Sequence, residues 1–323
     1  MKTTILGTGS WGTALAQILA DNGNTAEIND INAHENRKYF ENIRLPDAIV
    51  ATDDIKAALK DSELVVIAVP TKFVAQVLTQ ALPYLGSEVI LVNASKGFDP
   101  NTNNRMTDTI RRVAGSRIAS PIVSVIGPSH AEEVIQRRIT SICAVSVDPG
   151  AAERVQRIFS NNYIRLYVNT DEIGAEYCAA IKNIIAIASG ILVGKGYGDN
   201  AKAALVTRGL AEMMRYIKAK GGRPETLVGL TGVGDLVVTC FSIHSRNYSA
   251  GLEIGRADSV EDFFKHNTKT VEGIYSCKVI YEDLCNYDFE MPIITELYNV
   301  LYLGKRPSQA LSDIINRPLK SES

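Results

Sequence analysis

The GTGSWG sequence at residues 7–12 constrains the fold of this chain more than any other feature. It directly follows an apolar strand candidate, Thr3–Leu6, and it opens a pattern of helical spacing. In this position Gly7 permits a tight turn, Gly9 lets the backbone approach a diphosphate, and Gly12 lets helix and strand pack closely. The free N–H groups at the start of the helix favour the same anion. The segment therefore predicts a dinucleotide-binding β-α-β unit, although a turn that merely needs glycines would show the same letters.

Short β-branched runs alternate with helical patterns through the first half of the chain, which is typical of parallel β-α-β units. The strand candidates are Thr3–Leu6, Thr25–Ile28, Leu64–Val69, Val89–Val92 and Ile122–Ile126, followed by Ile139–Val147 and Tyr163–Val168. The helix candidates are Trp11–Asp21, Lys72–Leu82, Asn103–Val113 and Ala151–Phe159. The alternation predicts an α/β Rossmann domain with a mostly parallel, doubly wound sheet over residues 1–170.

Strand patterns nearly vanish after about residue 170, where long segments of helical spacing follow one another. The helix candidates are Asp171–Val193, Asn200–Lys220, Ser245–Arg256, Glu272–Asn286 and Ile293–Leu303. We therefore predict an all-α domain over residues 171–323. No Pro- or Ser-rich linker separates the halves, so we expect a tight interface with a ligand between the domains.

Composition excludes several classes of protein. The 34 basic and 36 acidic residues give a net charge of −2, so there is no broad basic field for nucleic acid or anionic lipid. The five cysteines form no C-x-x-C pair, which favours a reducing cytoplasm over a disulfide framework. The longest apolar stretch, Cys178–Val193, is shorter than the roughly 20 residues that span a bilayer. We expect a cytoplasmic protein with no membrane insertion and, for want of His/Cys ligand spacing, no metal.

That apolar stretch carries an ammonium and an amide at its centre, Lys182 and Asn183. Burying an unpaired ammonium costs several kcal/mol unless it finds a partner or its pKa falls. Asp235, in the glycine-rich GVGDLVV segment, is the candidate counter-charge. A lysine with a perturbed pKa in a cleft can give a proton to a carbonyl that is being reduced. The alternative is a lysine that reaches solvent from a half-buried helix.

Two loops leave predicted strands at the same edge of the sheet, where ligands of open α/β proteins gather. One is NASKG at residues 93–97, with Lys96, and the other is GPSHAEE at residues 127–133. A third candidate is the SRN sequence at residues 245–247, because Ser245 is a good N-cap and an arginine and an amide follow it. A helix N-terminus with these groups is a local phosphate site. Ordinary surface loops and an exposed, capped helix are the alternatives.

Taken in order along essentially the whole chain, these motifs resemble the bacterial NAD(P)-dependent glycerol-3-phosphate dehydrogenase family. The matching segments are GTGSWGTALA at Gly7, NASKG at Asn93, GPSHAEE at Gly127, IKNIIAIASG at Ile181, TRGLAEM at Thr207, GVGDLVVTC at Gly232, SRN at Ser245, VEG at Val271 and EMPIITELYNVLY at Glu290. The resemblance implies reversible reduction of dihydroxyacetone phosphate to sn-glycerol 3-phosphate, for phospholipid synthesis, with NAD or NADP as cofactor. It also implies a possible homodimer.

The resemblance assigns roles to residues in three groups. The catalytic group is Lys182, with Lys96 and Asp235 beside the reacting oxygen. The residues expected to bind substrate are Lys96, Gly127, Ser129, Lys182, Asn183, Asp235, Thr239, Ser245, Arg246 and Asn247. The residues expected to bind the dinucleotide are Gly7, Gly9, Ser10, Trp11, Gly12, Asp30, Lys96, Ala131, Arg246, Thr270 and Glu272.

The sequence departs from the family at two points. His130 stands in the GPSHAEE turn where members usually carry Phe, which changes the polarity beside the nicotinamide. The segment after the second strand lacks a basic residue and carries Asp30 instead, 21 positions after Gly9. An acidic residue at about this distance hydrogen-bonds the ribose 2′-hydroxyl of NAD, so we expect NADH to serve at least as well as NADPH.

Two other functions stay open at this stage. A dehydrogenase of the β-hydroxyacid or 6-phosphogluconate type would share the fold but would need a clamp for a substrate carboxylate. A non-catalytic dinucleotide sensor would keep the glycine pattern, yet it has no need of a buried Lys182 opposite Asp235.

Overall fold

The computed structural model describes residues 1–28, 34–319 and 321. Its N-terminal domain contains one eight-stranded sheet, in the order β3-β2-β1-β4-β5-β6-β7-β8. The strands are β1 (Lys2–Leu6), β2 (Thr25–Ile28), β3 (Ile49–Ala51), β4 (Leu64–Ile67), β5 (Ile90–Asn93), β6 (Val123–Ile126), β7 (Thr140–Val145) and β8 (Ile164–Asn169). Neighbouring strands pair in parallel except β6 and β7, which run antiparallel. The mostly parallel sheet was predicted; the reversal at β7 was not.

Helices cover the sheet and then form the rest of the chain. Those of the N-terminal domain are α1 (Ser10–Asp21), α2 (Ile55–Leu59), α3 (Thr71–Ala81), α4 (Met106–Ala114), α5 (Ala131–Val134) and α6 (Pro149–Phe159). Those of the C-terminal domain are α7 (Glu172–Gly194), α8 (Asp199–Ala219), α9 (Pro224–Leu227), α10 (Asp235–Phe241), α11 (Arg246–Ala257), α12 (Glu261–His266), α13 (Glu272–Asp283), α14 (Pro292–Leu303) and α15 (Pro307–Ile315). A Rossmann-like domain followed by a helical domain confirms the predicted fold class.

The central strands bury both faces, because successive side chains of a strand point to opposite sides. In β4, Leu64 and Val66 join the core beneath α1 and α6. Val65 and Ile67 join the core beneath α3 and α4. This is why the strand reads as an unbroken apolar run, which is typical of a parallel sheet covered by helices on both sides.

Several predicted boundaries were wrong for local reasons. The helix predicted from Asn103 begins only at Met106, because Asn103 has a φ of +58°, in the left-handed region that an α-helix does not contain. The last three residues of the predicted Glu272–Asn286 helix form a tighter 3₁₀ turn. Strand β3 and helix α2 were missed because three and five residues carry too little periodicity to detect.

Helix α7 is the central element of the C-terminal domain, and its backbone touches that of α11. A Cβ added to Gly190 would lie 2.1 Å from the carbonyl oxygen of Tyr248, and one on Gly251 would lie 2.0 Å from that of Ile187. Such contact is possible only without side chains at these positions. It fixes the N-terminus of α11 beside the middle of α7.

By length and composition, α7 is the one helix among the described residues that could cross a bilayer. However, 78% of its most apolar window is buried inside the protein. Packing against α10, α11, α13 and α8 therefore accounts for its apolar character, as expected for the core helix of a domain.

Candidate active site

The glycine-rich turn joins β1 to α1 at the carboxyl end of the sheet. Gly7 has a φ of +115°, and a Cβ on Gly12 would lie 2.1 Å from the carbonyl oxygen of Gly7, so a larger residue would push the helix off the turn. A Cβ on Gly9 meets no atom within 4 Å, so the backbone there faces open space. No described side chain caps α1, which leaves the N–H groups of its first turn, beginning with Ser10, available to an anion.

The surroundings of this turn fit a nicotinamide dinucleotide. Trp11 and Ala131 both belong to the core beside the turn. The Nε1 of Trp11 is buried without a hydrogen-bond partner in the described part of the chain, so a polar atom of a ligand could satisfy it. Asn36, which the sequence did not single out, holds the turn: its Nδ2 donates to the Thr8 carbonyl oxygen at 2.9 Å and to Thr13 Oγ1 at 2.8 Å.

The predicted pair of buried charges is present between the two domains. Lys182, in the middle of α7, donates from Nζ to Asp235 Oδ1 at 2.6 Å and to Thr239 Oγ1 at 2.9 Å. Asp235 begins α10, directly after a short π-helical turn, Leu230–Gly234. All three side chains are buried. The lysine therefore has a partner and does not extend to solvent, which excludes the alternative of a half-buried helix.

Lys96 reaches the same carboxylate from the other domain. Its loop follows β5, and its Nζ donates to Asp235 Oδ2 at 3.0 Å and to the carbonyl oxygen of Gly127 at 3.2 Å. Gly127 follows β6, and a Cβ there would lie 2.9 Å from Ile142 Cα. Lys96 thus joins the loops after β5 and β6 to Asp235 of α10, which also holds Lys182 of α7.

These groups set each other's ionisation. Burial lowers the pKa of Lys182, Asp235 partly offsets this effect, and the charge of Lys96 adds to it, so that the pKa is about 8. Burial alone would raise the pKa of Asp235, but the charges and hydrogen bonds of Lys182 and Lys96 hold it below its usual value. At neutral pH the site thus holds a carboxylate and an amine that readily releases or accepts a proton.

A second group of predicted residues meets beside this pair, at the N-terminus of α11. Ser245 caps the helix by accepting a hydrogen bond from Tyr248 N at 3.2 Å. Asn247 is buried, and its Oδ1 accepts from Gly273 N at 2.9 Å, which leaves its Nδ2 without a bond among the described residues and open to a ligand. The Arg246 side chain is 57% exposed, so its guanidinium can reach a ligand from the solvent side.

Glu272 links this N-terminus to α7. Its Oε1 lies 4.0 Å from Arg246 Nη2, and its Oε2 accepts from Asn183 Nδ2 at 3.5 Å. Burial raises the pKa of Glu272, against the charges of Arg246, Lys182 and Lys96. The carboxylate therefore joins the predicted substrate and cofactor residues into one continuous site.

Ser129 and Thr270 make no described contact with Lys182, Lys96, Asp235 or the N-terminus of α11. Ser129 donates from Oγ to the Gly127 carbonyl oxygen at 2.9 Å and so stabilises its own turn. Thr270 is exposed in the segment before α13. Asp30 lies outside the described residues. Within the described part of the chain, no group of three His, Cys, Asp or Glu side chains is arranged to hold a metal ion.

Two features define a class: a glycine-rich turn at the start of a helix in a Rossmann-like domain, and a buried lysine–carboxylate pair in a helical domain that Lys96 of the first domain contacts. The chain has the architecture of a two-domain dehydrogenase that uses a nicotinamide dinucleotide.

Comparison with known proteins identifies the family. The family models described as the N-terminus and the C-terminus of NAD-dependent glycerol-3-phosphate dehydrogenase match residues 2–152 and 171–312. The glycerol-3-phosphate dehydrogenase, NAD(P)+, of Bacillus subtilis (strain 168) is 44% identical over 98% of this chain and 94% of its own length. That of Streptococcus uberis is 45% identical over 100% of this chain and 98% of its own length.

A crystal structure of glycerol-3-phosphate dehydrogenase from Coxiella burnetii has a TM-score of 0.90 at 31% identity, covering 98% of this chain and 99% of that one. The chain belongs to the NAD-dependent glycerol-3-phosphate dehydrogenase family. The predicted membership is confirmed, and the chain is an oxidoreductase.

Proposed function

We propose that this enzyme interconverts dihydroxyacetone phosphate and sn-glycerol 3-phosphate, with Lys182 as the group that gives and takes the proton. The observation that carries the proposal is the buried ammonium of Lys182, held by Asp235 and Thr239 beside a helix N-terminus that offers Arg246 and Asn247. A proton donor next to an anion site is what reduction of a phosphorylated ketone requires.

Lys182 acts as an acid in one direction and as a base in the other. With a pKa of about 8 it is mostly protonated at pH 7, and it gives its proton to the alkoxide that forms at C2 of the ketone. In the reverse direction the neutral amine accepts the hydroxyl proton. Asp235 and Thr239 hold Nζ in place, so the amine does not have to be oriented during each turnover.

Lys96 contributes charge rather than the proton. Lys96 and Lys182 bond the same carboxylate, and Lys96 Nζ lies 3.0 Å from Asp235 Oδ2. Its positive charge then stays beside the substrate oxygen on which negative charge develops. A fixed cation in a site with little water stabilises this charge more strongly than the same cation would in solution.

The phosphate binds at the N-terminus of α11. Ser245, Arg246 and Asn247 offer a hydroxyl, a guanidinium and an amide, and the first N–H groups of the helix point the same way. We propose that Asn183 and Gly127 line the space between this subsite and the lysines, and that Ser129, which bonds the Gly127 carbonyl oxygen, holds this turn for the substrate. Binding of the phosphate there orients the carbonyl carbon for reaction.

A bound nicotinamide dinucleotide supplies the hydride in one direction and accepts it in the other. We propose that the turn formed by Gly7, Gly9, Ser10, Trp11 and Gly12 holds the diphosphate. The rest of the dinucleotide would be bound by Ala131, Thr270, Glu272, Lys96 and Arg246. Asp30 would hydrogen-bond the ribose. NADH then serves at least as well as NADPH.

We also propose that the enzyme supplies phospholipid synthesis from the cytoplasm as a homodimer, with its domain boundary at residue 170. Support for a reducing compartment comes from the five cysteines, all free thiols, four of them buried. The SRN subsite disfavours a β-hydroxyacid-type substrate, whose carboxylate would need a different clamp. Size-exclusion chromatography with light scattering tests the dimer.

The direct test of the function is the decay of NADH absorbance with dihydroxyacetone phosphate, measured beside unphosphorylated dihydroxyacetone. We expect turnover of the phosphate ester at micromolar to millimolar concentration, a usual range for KM, and far less with the free ketone. Equal rates with both ketones would show that the enzyme does not recognise the phosphate and would contradict the proposed phosphate subsite. An absence of decay with the phosphate ester would overturn the proposed function.

A further inference from the structure

The last turn of α10, which ends at Phe241, is contacted by side chains from outside the helix. Two carbonyl oxygens of this turn are bonded in this way. Ser189 Oγ of α7 donates to the Cys240 carbonyl oxygen at 3.0 Å, and His130 Nε2 lies 3.3 Å from the carbonyl oxygen of Val238.

These two contacts come from different domains. Ser189 belongs to the helix that carries Lys182, whereas His130 ends the GPSH turn that follows β6 in the N-terminal domain. The imidazole of His130 therefore bonds across the cleft to the residue immediately before Thr239. Thr239 is one of the two partners of Lys182, so the cross-domain bond acts on the helix that orients the proton donor.

Several charged or titratable groups surround the imidazole. Burial lowers the pKa of His130, its bond to the Val238 carbonyl opposes this, and Lys182 lowers the pKa further. Glu132 on α5 raises it, and His244, whose ring centre lies 5.7 Å away in the segment before α11, lowers it. The lowered pKa favours the neutral ring, and because a carbonyl oxygen only accepts, the bond to Val238 requires the tautomer that carries its hydrogen on Nε2.

We propose that His130 is a positioning residue, which holds the C-terminal turn of α10 from the opposite domain and thereby keeps Thr239 and Asp235 in place around Lys182. The inference rests on the proposed function. Its physical basis is the contact between His130 Nε2 and the Val238 carbonyl oxygen at 3.3 Å, a contact that water would replace if His130 were absent. Water at the end of α10 would loosen the dry setting that lowers the pKa of Lys182.

The test compares His130→Phe, which keeps a ring and loses the donor, with His130→Gln, which restores an N–H donor. We expect His130→Phe to lower kcat for dihydroxyacetone phosphate by about threefold to tenfold, the factor that one neutral hydrogen bond is worth. KM for the dinucleotide stays within about twofold. The alkaline limb of the kcat profile moves to higher pH, because Lys182 is better hydrated. His130→Gln returns both quantities most of the way to wild type.

The matched control is His244→Phe, which keeps the ring contact with His130 and leaves the Val238 bond intact. We expect His244→Phe to have the wild-type kcat and the same alkaline limb of the kcat profile as the wild type. If the wild type is active and His130→Phe keeps the wild-type kcat and the wild-type alkaline limb of the kcat profile, His130 has no positioning role and the inference is overturned. It is also overturned if His130→Gln shows no recovery relative to His130→Phe. An inactive wild type would instead refute the proposed function, so the two failures can be told apart.

Discussion

Replacing Asp235 by Asn tests the electrostatics of the site most thoroughly, because this one carboxylate faces two ammonium groups. Its oxygens lie 2.6 Å from Lys182 Nζ and 3.0 Å from Lys96 Nζ. The variant keeps the shape of the side chain and removes its charge. The buried Lys182 and the partly buried Lys96 then repel each other without compensation, and loss of one partner from a buried pair costs about 3–5 kcal/mol of stability.

The same change shifts the protonation of Lys182. Its pKa of about 8 makes it about 90% protonated at pH 7. A nearby opposite charge is worth about 1–3 pKa units, so removing it lowers the pKa of Lys182 to about 5–7. With a pKa near 6, only about a tenth of the enzyme carries the proton at pH 7. We therefore expect kcat for ketone reduction at pH 7 to fall about tenfold, and to recover partly as the pH is lowered.

The assay is a kcat profile from pH 5.5 to pH 9.5 together with a thermal melt. Glu212→Gln is the matched control, since Glu212 is also a buried carboxylate but accepts hydrogen bonds from Ile293 N and Ile294 N, in the C-terminal domain. Both variants should melt at lower temperature, and only Asp235→Asn should move the alkaline limb to lower pH. An Asp235→Asn enzyme with the wild-type limb would refute the coupling between the carboxylate and Lys182.

Three further changes address the phosphate, the cofactor and the helix contact. Arg246→Ala should raise KM for dihydroxyacetone phosphate by about 10- to 150-fold, the value of a charge-assisted bond of roughly 1.5–3 kcal/mol, and should affect unphosphorylated dihydroxyacetone far less. An equal penalty on both ketones would show that Arg246 supports the fold or the cofactor instead of the phosphate. Asp30→Ser should raise kcat/KM with NADPH relative to kcat/KM with NADH. A wild-type preference for NADPH of tenfold or more that stays unchanged in the variant would contradict the role given to Asp30. Gly251→Ala should cost at least about 1–3 kcal/mol in urea unfolding, because its Cβ would lie 2.0 Å from the Ile187 carbonyl oxygen. An unchanged midpoint would mean that α11 can move away from α7.

Local patterns in the sequence were sufficient for the fold class. The glycine turn and the unbroken apolar run at Leu64 each reflect one strand or helix and its immediate neighbours. The direction of β7 was not predictable, because alternation of side chains is the same in either direction. Strand β7 pairs antiparallel with β6 after the connection that contains α5.

Within the site, a long-range contact could be predicted only where charge made it necessary. Lys182 and Asp235 are 53 positions apart, and the cost of burying one charge alone suggested the other. Asn36 beneath the glycine turn and the bond from His130 to Val238 involve neutral groups that could equally pair with water. No energetic penalty identifies their partners before the fold is known.

The central claim is that Lys182 carries the proton, and Lys182→Met tests it most directly because Met has nearly the same shape and cannot ionise. The measurement is kcat for dihydroxyacetone phosphate reduction, with NADH affinity followed in parallel by fluorescence. We expect kcat to fall by about 100-fold or more, as for loss of a general acid, while NADH affinity is unchanged. A variant that keeps wild-type kcat would contradict the account and make Lys182 a structural residue, with Lys96 the next candidate for the proton donor.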